Sequence, residues 1–469
     1  MSGAPRAETP NRRKPKKRRS ERQSDTERPG LATRQCAQRL LSAIVDKSTP
    51  MDAVTDDKHG HPTYLSLEPR DRSLVRAILM AALRYRGDLE AVIDGLVERP
   101  LPEGALSLRA ILHVAGAQIF FLDVPTHSAV DLAVESANRD PRNRRFASLV
   151  NAVTRRMVRE KSKHLEAFSS QPKNTPDWFF DRLGQVYTLE TAIRIFELHR
   201  HPAPIDITLK EPSDAVANGL LEGRQGQRTS STNVRLTGKM DVTQLPGFDD
   251  GHWWVQDYAA SIPAKLFGNF AGKRILDLCA APGGKTAQLL AMGAQVTALE
   301  KSASRARRLE DNLARLQLAG GCSVFVTDLF DFEVEEPFDG VLLDAPCSST
   351  GTVRRHPDVP WTKSPADIQK LADLQSRMLA KAAEFVAPGG VLVFSNCSLD
   401  PLEGEQVAKA FTFKTSDFAA WPVVAADFGL EPDMIDEDGH VRTTPAHLPN
   451  TDISQAGMDG FFAARFRRR

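Results

Sequence analysis

The sequence predicts a multidomain protein: an all-α helical domain, then a small α+β intermediate domain, then an α/β domain with a mostly parallel, doubly wound sheet. Three observations predict it. From about Leu31 to Arg159 apolar residues recur at helical spacing. From Arg274 onward short apolar runs alternate with helical segments, and the stretch between is mixed and contains Gly and Ser. A chain of 469 residues is too long for one ordinary domain, and its 41% hydrophobic and 26% charged content is that of a globular protein with a sizeable core. The net charge of +1 excludes a uniformly basic molecule while leaving room for local basic patches.

Residues 1–30 form such a patch. Arg12, Arg13, Lys14, Lys16, Lys17, Arg18 and Arg19 crowd together with almost nothing apolar between them, so this tail is expected to be disordered. It is open to two readings, a phosphate-contacting arm or a solubilising tail.

Residues 31–162 read as a bundle of antiparallel helices. Leu74, Ile78 and Ala82 share one face, as do Ile111, Ala115, Ile119 and Leu122, and as do Phe146, Leu149, Val150, Val153 and Met157. Arg99-Pro100-Leu101-Pro102 and Asp123-Val124-Pro125 read as connections, because a residue before Pro is disfavoured in a helix. Arg139, Arg142, Arg144 and Arg145 cluster before the last helix, either for RNA phosphates or as a solvated face.

Residues 163–265 start with an expected linker, which spans Lys161 to Pro176. A helical segment over Trp178 to His199 follows, then a half-exposed strand over Ile205 to Leu209, a Gly- and Ser-containing region, Trp253-Trp254-Val255 and an apolar helix from near Tyr258.

Residues 266–469 carry the α/β pattern. Strands are expected over Ile275–Ala280, Val296–Leu299, Ser323–Thr327, Gly340–Leu343 and Val391–Ser395. Helices fall over Thr286–Met292, Ser302–Gln317 and Ala366–Val386, the last closing at Pro388-Gly389-Gly390. The strands end in the turn Pro282-Gly283-Gly284-Lys285, in Glu300, in Asp328, in Asp344 followed by Cys347, and in Cys397. Parallel strands gather those ends at one edge, where open α/β sheets bind ligands. The glycine turn fits neither the dinucleotide fingerprint nor the P-loop spacing, and suits a ligand carboxylate on the following helix N-terminus, with Glu300 set for ribose hydroxyls. On residues alone, Cys347 reads equally as a reactive thiol or a small buried residue.

Five widely spaced cysteines suggest neither a disulfide framework nor a zinc site, and reduced thiols point to a cytoplasmic protein with no metal. The basic start has no apolar h-region, and no stretch of about 20 apolar residues suits a membrane span.

The run Asp277-Leu278-Cys279-Ala280-Ala281-Pro282-Gly283-Gly284-Lys285-Thr286, with Asp344-Ala345-Pro346-Cys347-Ser348 and Ser395-Asn396-Cys397-Ser398, resembles the Sun/RsmB branch of RNA cytosine-5 methyltransferases. The likeness continues through Val255-Gln256-Asp257, Arg354-Arg355-His356-Pro357-Asp358 and Asp459-Gly460-Phe461-Phe462. The helical domain is similar to the NusB RNA-binding fold in Asp71-Arg72, Phe121-Leu122-Asp123-Val124-Pro125 and Leu149-Val150-Asn151-Ala152-Val153. Only the basic tail lies outside the resemblance.

The resemblance implies a Rossmann-like class I methyltransferase domain that uses S-adenosylmethionine. It implies that Cys279, Ala280, Ala281, Pro282, Gly283, Gly284 and Lys285 wrap the methionine part of the donor, with Glu300 on the ribose, Asp328 on the adenine and Asp344 beside them. It further implies Cys397 as the nucleophile, Asp344 against the cytosine ring near N3, Cys347 assisting proton removal or release, and Lys285 placing donor or substrate. The implied partner is RNA, foremost small-subunit ribosomal RNA, with no obligate protein partner. The same chemistry on tRNA and a non-catalytic RNA-binding assembly factor are the alternatives. Four departures from the family pattern stand out: Asn396 where Thr is usual, Phe394 where Tyr is common, Glu403-Gly404-Glu405 as the later acidic motif, and Ile207-Thr208-Leu209-Lys210 in place of an Arg-Val-Asn phrase.

Overall fold

A computed structural model of the chain describes residues 1, 3, 28–170 and 174–469. The basic run of the tail lies outside the described residues. The helical domain comprises α1 (Leu31–Lys47), α2 (Met51–Val54), α3 (Pro62–Leu65), α4 (Pro69–Arg84), α5 (Arg86–Leu96), α6 (Leu106–Phe121), α7 (Thr126–Arg139) and α8 (Ala147–Arg159). Its centre is α6, which is apolar nearly all round and buried from Ala110 to Phe120, as a helix enclosed by others must be. Ile78, Ala82, Ile111, Ala115, Ile119, Val150, Val153 and Met157 all enter this core as the spacing predicts.

The expected linker differs. Its first part is a helix, α9 (Lys161–Ser170), because Phe168 reaches back onto Phe120 with ring centroids 5.5 Å apart and joins the helical core. The segment expected as one helix is two, α10 (Asp177–Val186) and α11 (Leu189–His199), with the Thr188 side chain accepting from the Thr191 N–H to start the second.

The intermediate region holds a four-stranded antiparallel sheet of β1 (Ile205–Leu209), β2 (Gly226–Arg228), β3 (Asn233–Leu236) and β4 (Trp253–Val255), in the order β2-β3-β1-β4, with α12 (Asp214–Leu221) packed on it. β1 is not half-exposed. Its polar positions are buried because they are paired: Asp206 takes a bidentate contact from Arg235, both side chains fully buried, and Asn233 donates to Thr208. The helix expected near Tyr258 is the short α13 (Ile262–Lys265).

The large sheet contains β5 (Arg274–Leu278), β6 (Gln295–Leu299), β7 (Cys322–Phe325), β8 (Phe338–Asp344), β9 (Val386–Asn396), β10 (Phe418–Ala420), β11 (Val441–Thr443) and β12 (Phe461–Arg468). Its order is β10-β12-β9-β8-β5-β6-β7, with β11 paired to β12. The five strands β5 to β9 are parallel, as expected. The C-terminal strands were not expected: β12 runs antiparallel beside β9, flanked by β10 and β11. β9 also starts at Val386, so Pro388-Gly389-Gly390 lies inside the strand rather than ending a helix.

The helices are α14 (Gly284–Ala291), α15 (Ala303–Arg315), α16 (Val359–Thr362), α17 (Pro365–Glu384) and α18 (Glu405–Lys414). Successive strand residues alternate between two cores: Leu342 and Val393 pack with residues of α14 and α15, whereas Val341, Leu343 and Phe394 pack with residues of α17 and α18. That is why the strands read as unbroken apolar runs.

The three regions are joined through buried arginines. Arg354 donates to the carbonyls of Ala456 and Pro202, and Arg84 of α4 donates to the carbonyls of His199 and Arg354. Arg355 binds Asp257 at 2.6 Å and Asp459 at 3.0 Å, so the Arg354-Arg355 motif ties the small sheet to β12. No helix among the described residues is long and apolar enough to cross a membrane.

Removing one partner of a fully buried ion pair strands the other charge. Asp206→Ala is therefore expected to lower stability by about 3–5 kcal/mol, read as a shift in the urea midpoint followed by tryptophan fluorescence. An unshifted midpoint contradicts the role given to the pair.

Candidate active site

The carboxyl ends of β8 and β9 lie side by side, with Asp344 registered against Ser395. Asp344 closes β8 and receives two hydrogen bonds, from Lys285 Nζ at 2.7 Å and from Ser395 Oγ at 2.9 Å. Lys285 comes from the first turn of α14 and also sits 4.8 Å from the centroid of the Phe461 ring on β12. Three strands and a helix thus fix one ammonium–carboxylate pair.

Three residues beyond Asp344 the chain carries Cys347, and the residue after β9 is Cys397. Their sulfurs are 3.4 Å apart and both residues are half-buried. The hydrogen bond to Cys397 and burial push the Cys347 thiol well above its ordinary range, so Cys347 keeps its proton and can donate it to the neighbouring sulfur. The Cys347 loop also packs closely on the segment entering β12, because two glycines meet there. A Cβ on Gly351 would fall 2.0 Å from the Gly460 carbonyl oxygen, while the Gly351 N–H donates to the Cys397 carbonyl at 2.9 Å.

Glu403 fastens the same loops from beneath. Its buried carboxylate accepts from the Ser348 N–H at 2.8 Å, from the Ser348 hydroxyl, from Ser398 Oγ at 2.6 Å and from Gln375 Nε2 at 3.1 Å. Asn396, the departure from Thr, donates to the Glu403 carbonyl at 2.6 Å and accepts from the Ser398 N–H at 2.9 Å, so it shapes the loop that presents Cys397. Phe394 packs on Phe462 in the core, which a phenyl ring serves without a hydroxyl.

The expected cofactor residues line the neighbouring edge. Cys279 to Gly283 form the turn between β5 and α14, with Cys279 at φ 61° and Gly283 at φ 101°. Burial, and behind it the carboxylates of Asp344, Glu300 and Asp277, push the Cys279 thiol up to about 12, which makes it an inert wall. Glu300 follows β6; its Oε1 accepts from the Ser302 N–H at 2.9 Å, and its Oε2, which makes no hydrogen bond among the described residues, lies 3.4 Å from the Arg305 guanidinium. Asp328 lies three residues past β7, where Lys301 holds it at 2.7 Å and it accepts from the Phe330 N–H. A buried carboxylate at the ribose position, with one oxygen making no hydrogen bond among the described residues, and the N–H groups of the first turn of α14 fit a ligand with hydroxyls and a carboxylate.

Comparison with known proteins bears on this constellation. A family profile described as 16S rRNA methyltransferase RsmB/F matches residues 268–467, and the NusB family profile matches residues 31–159. The chain is 34% identical over 446 residues to the ribosomal RNA small subunit methyltransferase B of Xylella fastidiosa (strain Temecula1), covering 93% of this chain and 98% of that protein. The chain belongs to the 16S rRNA methyltransferase RsmB/F family.

As an RsmB/F protein it is an S-adenosylmethionine-dependent rRNA methyltransferase with a NusB-like helical domain, and the fold class expected from the sequence holds. The protein of the same name from Xanthomonas campestris is 35% identical over 420 residues, covering 87% of this chain and 93% of that one. A methyltransferase homolog protein from Pyrococcus horikoshii superposes with a TM-score of 0.51 at 29% identity, covering 62% of this chain and 94% of that one.

Sequence reasoning noted Glu403 and Ser395 only within their motifs and gave neither a part in the candidate site. The signal for the first was present in Glu403-Gly404-Glu405, but no spacing rule says that this acid turns back beneath two cysteine loops.

Asp277, one turn beneath the glycine segment, supplies a pH test. Burial pushes its carboxyl up to about 7, while Thr286 donates to it at 2.6 Å. Between about pH 4 and 7 the unfolded chain releases this proton and the native protein keeps it, so stability falls as pH rises through that window. Asp277→Asn removes the effect. Denaturant titrations should show the variant gaining on wild type from pH 4 to 7 by up to about 1.4 kcal/mol per unit, and a constant difference contradicts the assignment.

Proposed function

We propose that the protein methylates C5 of a cytosine in small-subunit (16S) ribosomal RNA, through a covalent bond between Cys397 and C6 of the ring. The observation that carries this reading is the 3.4 Å pairing of Cys347 and Cys397 beside the Asp344–Lys285 pair. The relatives named ribosomal RNA small subunit methyltransferase B support the substrate.

The target carbon is a poor nucleophile, and the reading explains why two thiols are needed. The Cys397 thiolate adds to C6, forming the S–C6 bond and sending the ring's electron pair toward C5 and N3. Asp344 hydrogen-bonds the ring near N3, and the Lys285 ammonium 2.7 Å from it offsets the charge that gathers there. S-adenosylmethionine, when bound, supplies the electrophilic methyl group that C5 takes up. The glycine turn with Lys285 would hold its carboxylate end, Glu300 its ribose, and Asp328 its adenine. The C5 proton then passes to solvent, the S–C6 bond breaks and its electron pair returns to Cys397 sulfur. Cys347, which holds its proton, hydrogen-bonds that sulfur as it leaves.

A stacked base cannot offer C6 to a thiol, so the cytosine has to be unpaired or flipped, at a cost of a few kcal/mol. Phosphate contacts would offset this, and Arg144 and Arg145 on the NusB-like domain are exposed and suited to them.

Cys397→Ala is expected to abolish transfer, and Cys347→Ala to attack RNA but release it slowly. Denaturing gels after incubation with RNA should show a retarded protein–RNA band for Cys347→Ala alone. The band appearing with Cys397→Ala instead would reverse the two roles.

A further inference from the structure

We propose that the cavity between the small sheet and the methyltransferase domain is a second binding site, for the phosphate and base of a nucleotide, with Lys265 as its anion contact. The cavity measures about 690 Å³, in the range of small-ligand sites. It is separate from the thiol site. Lys285 lies in the first turn of α14, whereas Ala291 and Met292, at the far end of that helix, line the cavity. Gln288, three residues on from Lys285, forms the near wall with its side chain held by Gln256 and the Ser261 carbonyl, and Ala291 and Met292 lie about 10 Å along the helix from Lys285.

Its walls combine three chemistries. Lys265, the last residue of α13, brings an ammonium that donates to Asn233 Oδ1 at 3.0 Å and lies 5.2 Å from the centroid of the Tyr258 ring. Among the described residues no carboxylate pairs with it, and burial alone pushes it down to about 8. An ammonium carries three N–H donors, so two remain for a ligand, and an anion would offset the cost of burying the charge. The loop from Thr229 to Thr232 adds consecutive hydroxyl side chains, and Thr229 Oγ1 is buried without a hydrogen-bond partner among the described residues. Trp254, Tyr258 and Phe428 supply the aromatic part of the lining, which suits a base. Lys210, whose ammonium donates to the Leu316 carbonyl, adds positive charge at the wall.

A cation without an acid, the unpartnered Thr229 hydroxyl and aromatic rings select a phosphate joined to a planar base. Such a group has two sources, a free mononucleotide or one nucleotide of the RNA substrate. The second source rests on the substrate proposed above; the first does not.

Competitive acylation of the full-length wild-type protein tests the site without relying on a variant. The cofactor site is saturated with S-adenosylhomocysteine, and the labelling of Lys265 is compared by mass spectrometry with that of exposed Lys273. CMP should protect Lys265 and not Lys273, cytidine should protect far less, and Lys265→Gln should weaken CMP binding about tenfold, the loss of one charge-assisted contact. Protection by CMP and by a single-stranded RNA oligonucleotide, or by the oligonucleotide alone, assigns the site to the RNA. Protection by CMP alone assigns it to a free nucleotide and leaves the substrate reading untouched. If neither protects Lys265, or if cytidine protects as well as CMP, the proposal is overturned.

Discussion

One buried carboxylate holds the two cysteine loops of this molecule together. Glu403 takes the N–H and hydroxyl of Ser348, next to Cys347, and the hydroxyl of Ser398, next to Cys397, so two loops from two strands share a single acceptor. Burial and the hydrogen bonds it receives act on it in opposite senses. Burial raises its carboxyl and the donors from Ser348, Ser398 and Gln375 lower it, with burial the larger influence. Without this shared acceptor the loop donors would be buried and unpaired, which is expensive, so the 3.4 Å approach of the two sulfurs depends on it.

Around that centre, buried guanidinium groups do for the domains what Glu403 does for the loops. Arg235 on Asp206, Arg355 on Asp257 and Asp459, and Arg442 on Glu405 each satisfy a carboxylate from a different part of the chain. Arg is suited to this because its planar fork meets a carboxylate with two parallel bonds and stays charged when buried. The consequence is that the small sheet, β12 and the thiol loops form one connected polar frame, on which the strand-end residues are held.

The parallel strands were legible because stretches buried on both faces are apolar at every position, as Val341-Leu342-Leu343 of β8 and Val391-Leu392-Val393-Phe394 of β9 are. The strand-end acids and thiols were legible for the same reason: once the strands are parallel, their ends share an edge. β12 escaped detection because its Phe-Phe-Ala-Ala-Arg-Phe-Arg-Arg run mixes buried arginine with aromatic residues, and Arg465 is buried by donating to the carbonyls of Leu266 and Pro422. β1 was read as half-exposed because a polar residue alternating with an apolar one signals a wet face, unless its partner is also buried. That partner, Arg235, lies 29 residues away. The expected linker failed on a single aromatic anchor, Phe168, in an otherwise polar helix.

The account rests on Cys397, and not Cys347, bonding to the cytosine ring. RNA carrying 5-fluorocytidine tests this directly, because fluorine at C5 cannot leave as a proton does and the enzyme should stay attached after methyl transfer. Proteolysis and mass spectrometry of the product with S-adenosylmethionine should find the methylated, fluorinated nucleotide on the peptide that contains Cys397. The same mass on the Cys347 peptide, or no covalent product from an RNA the protein demonstrably methylates, would contradict the account.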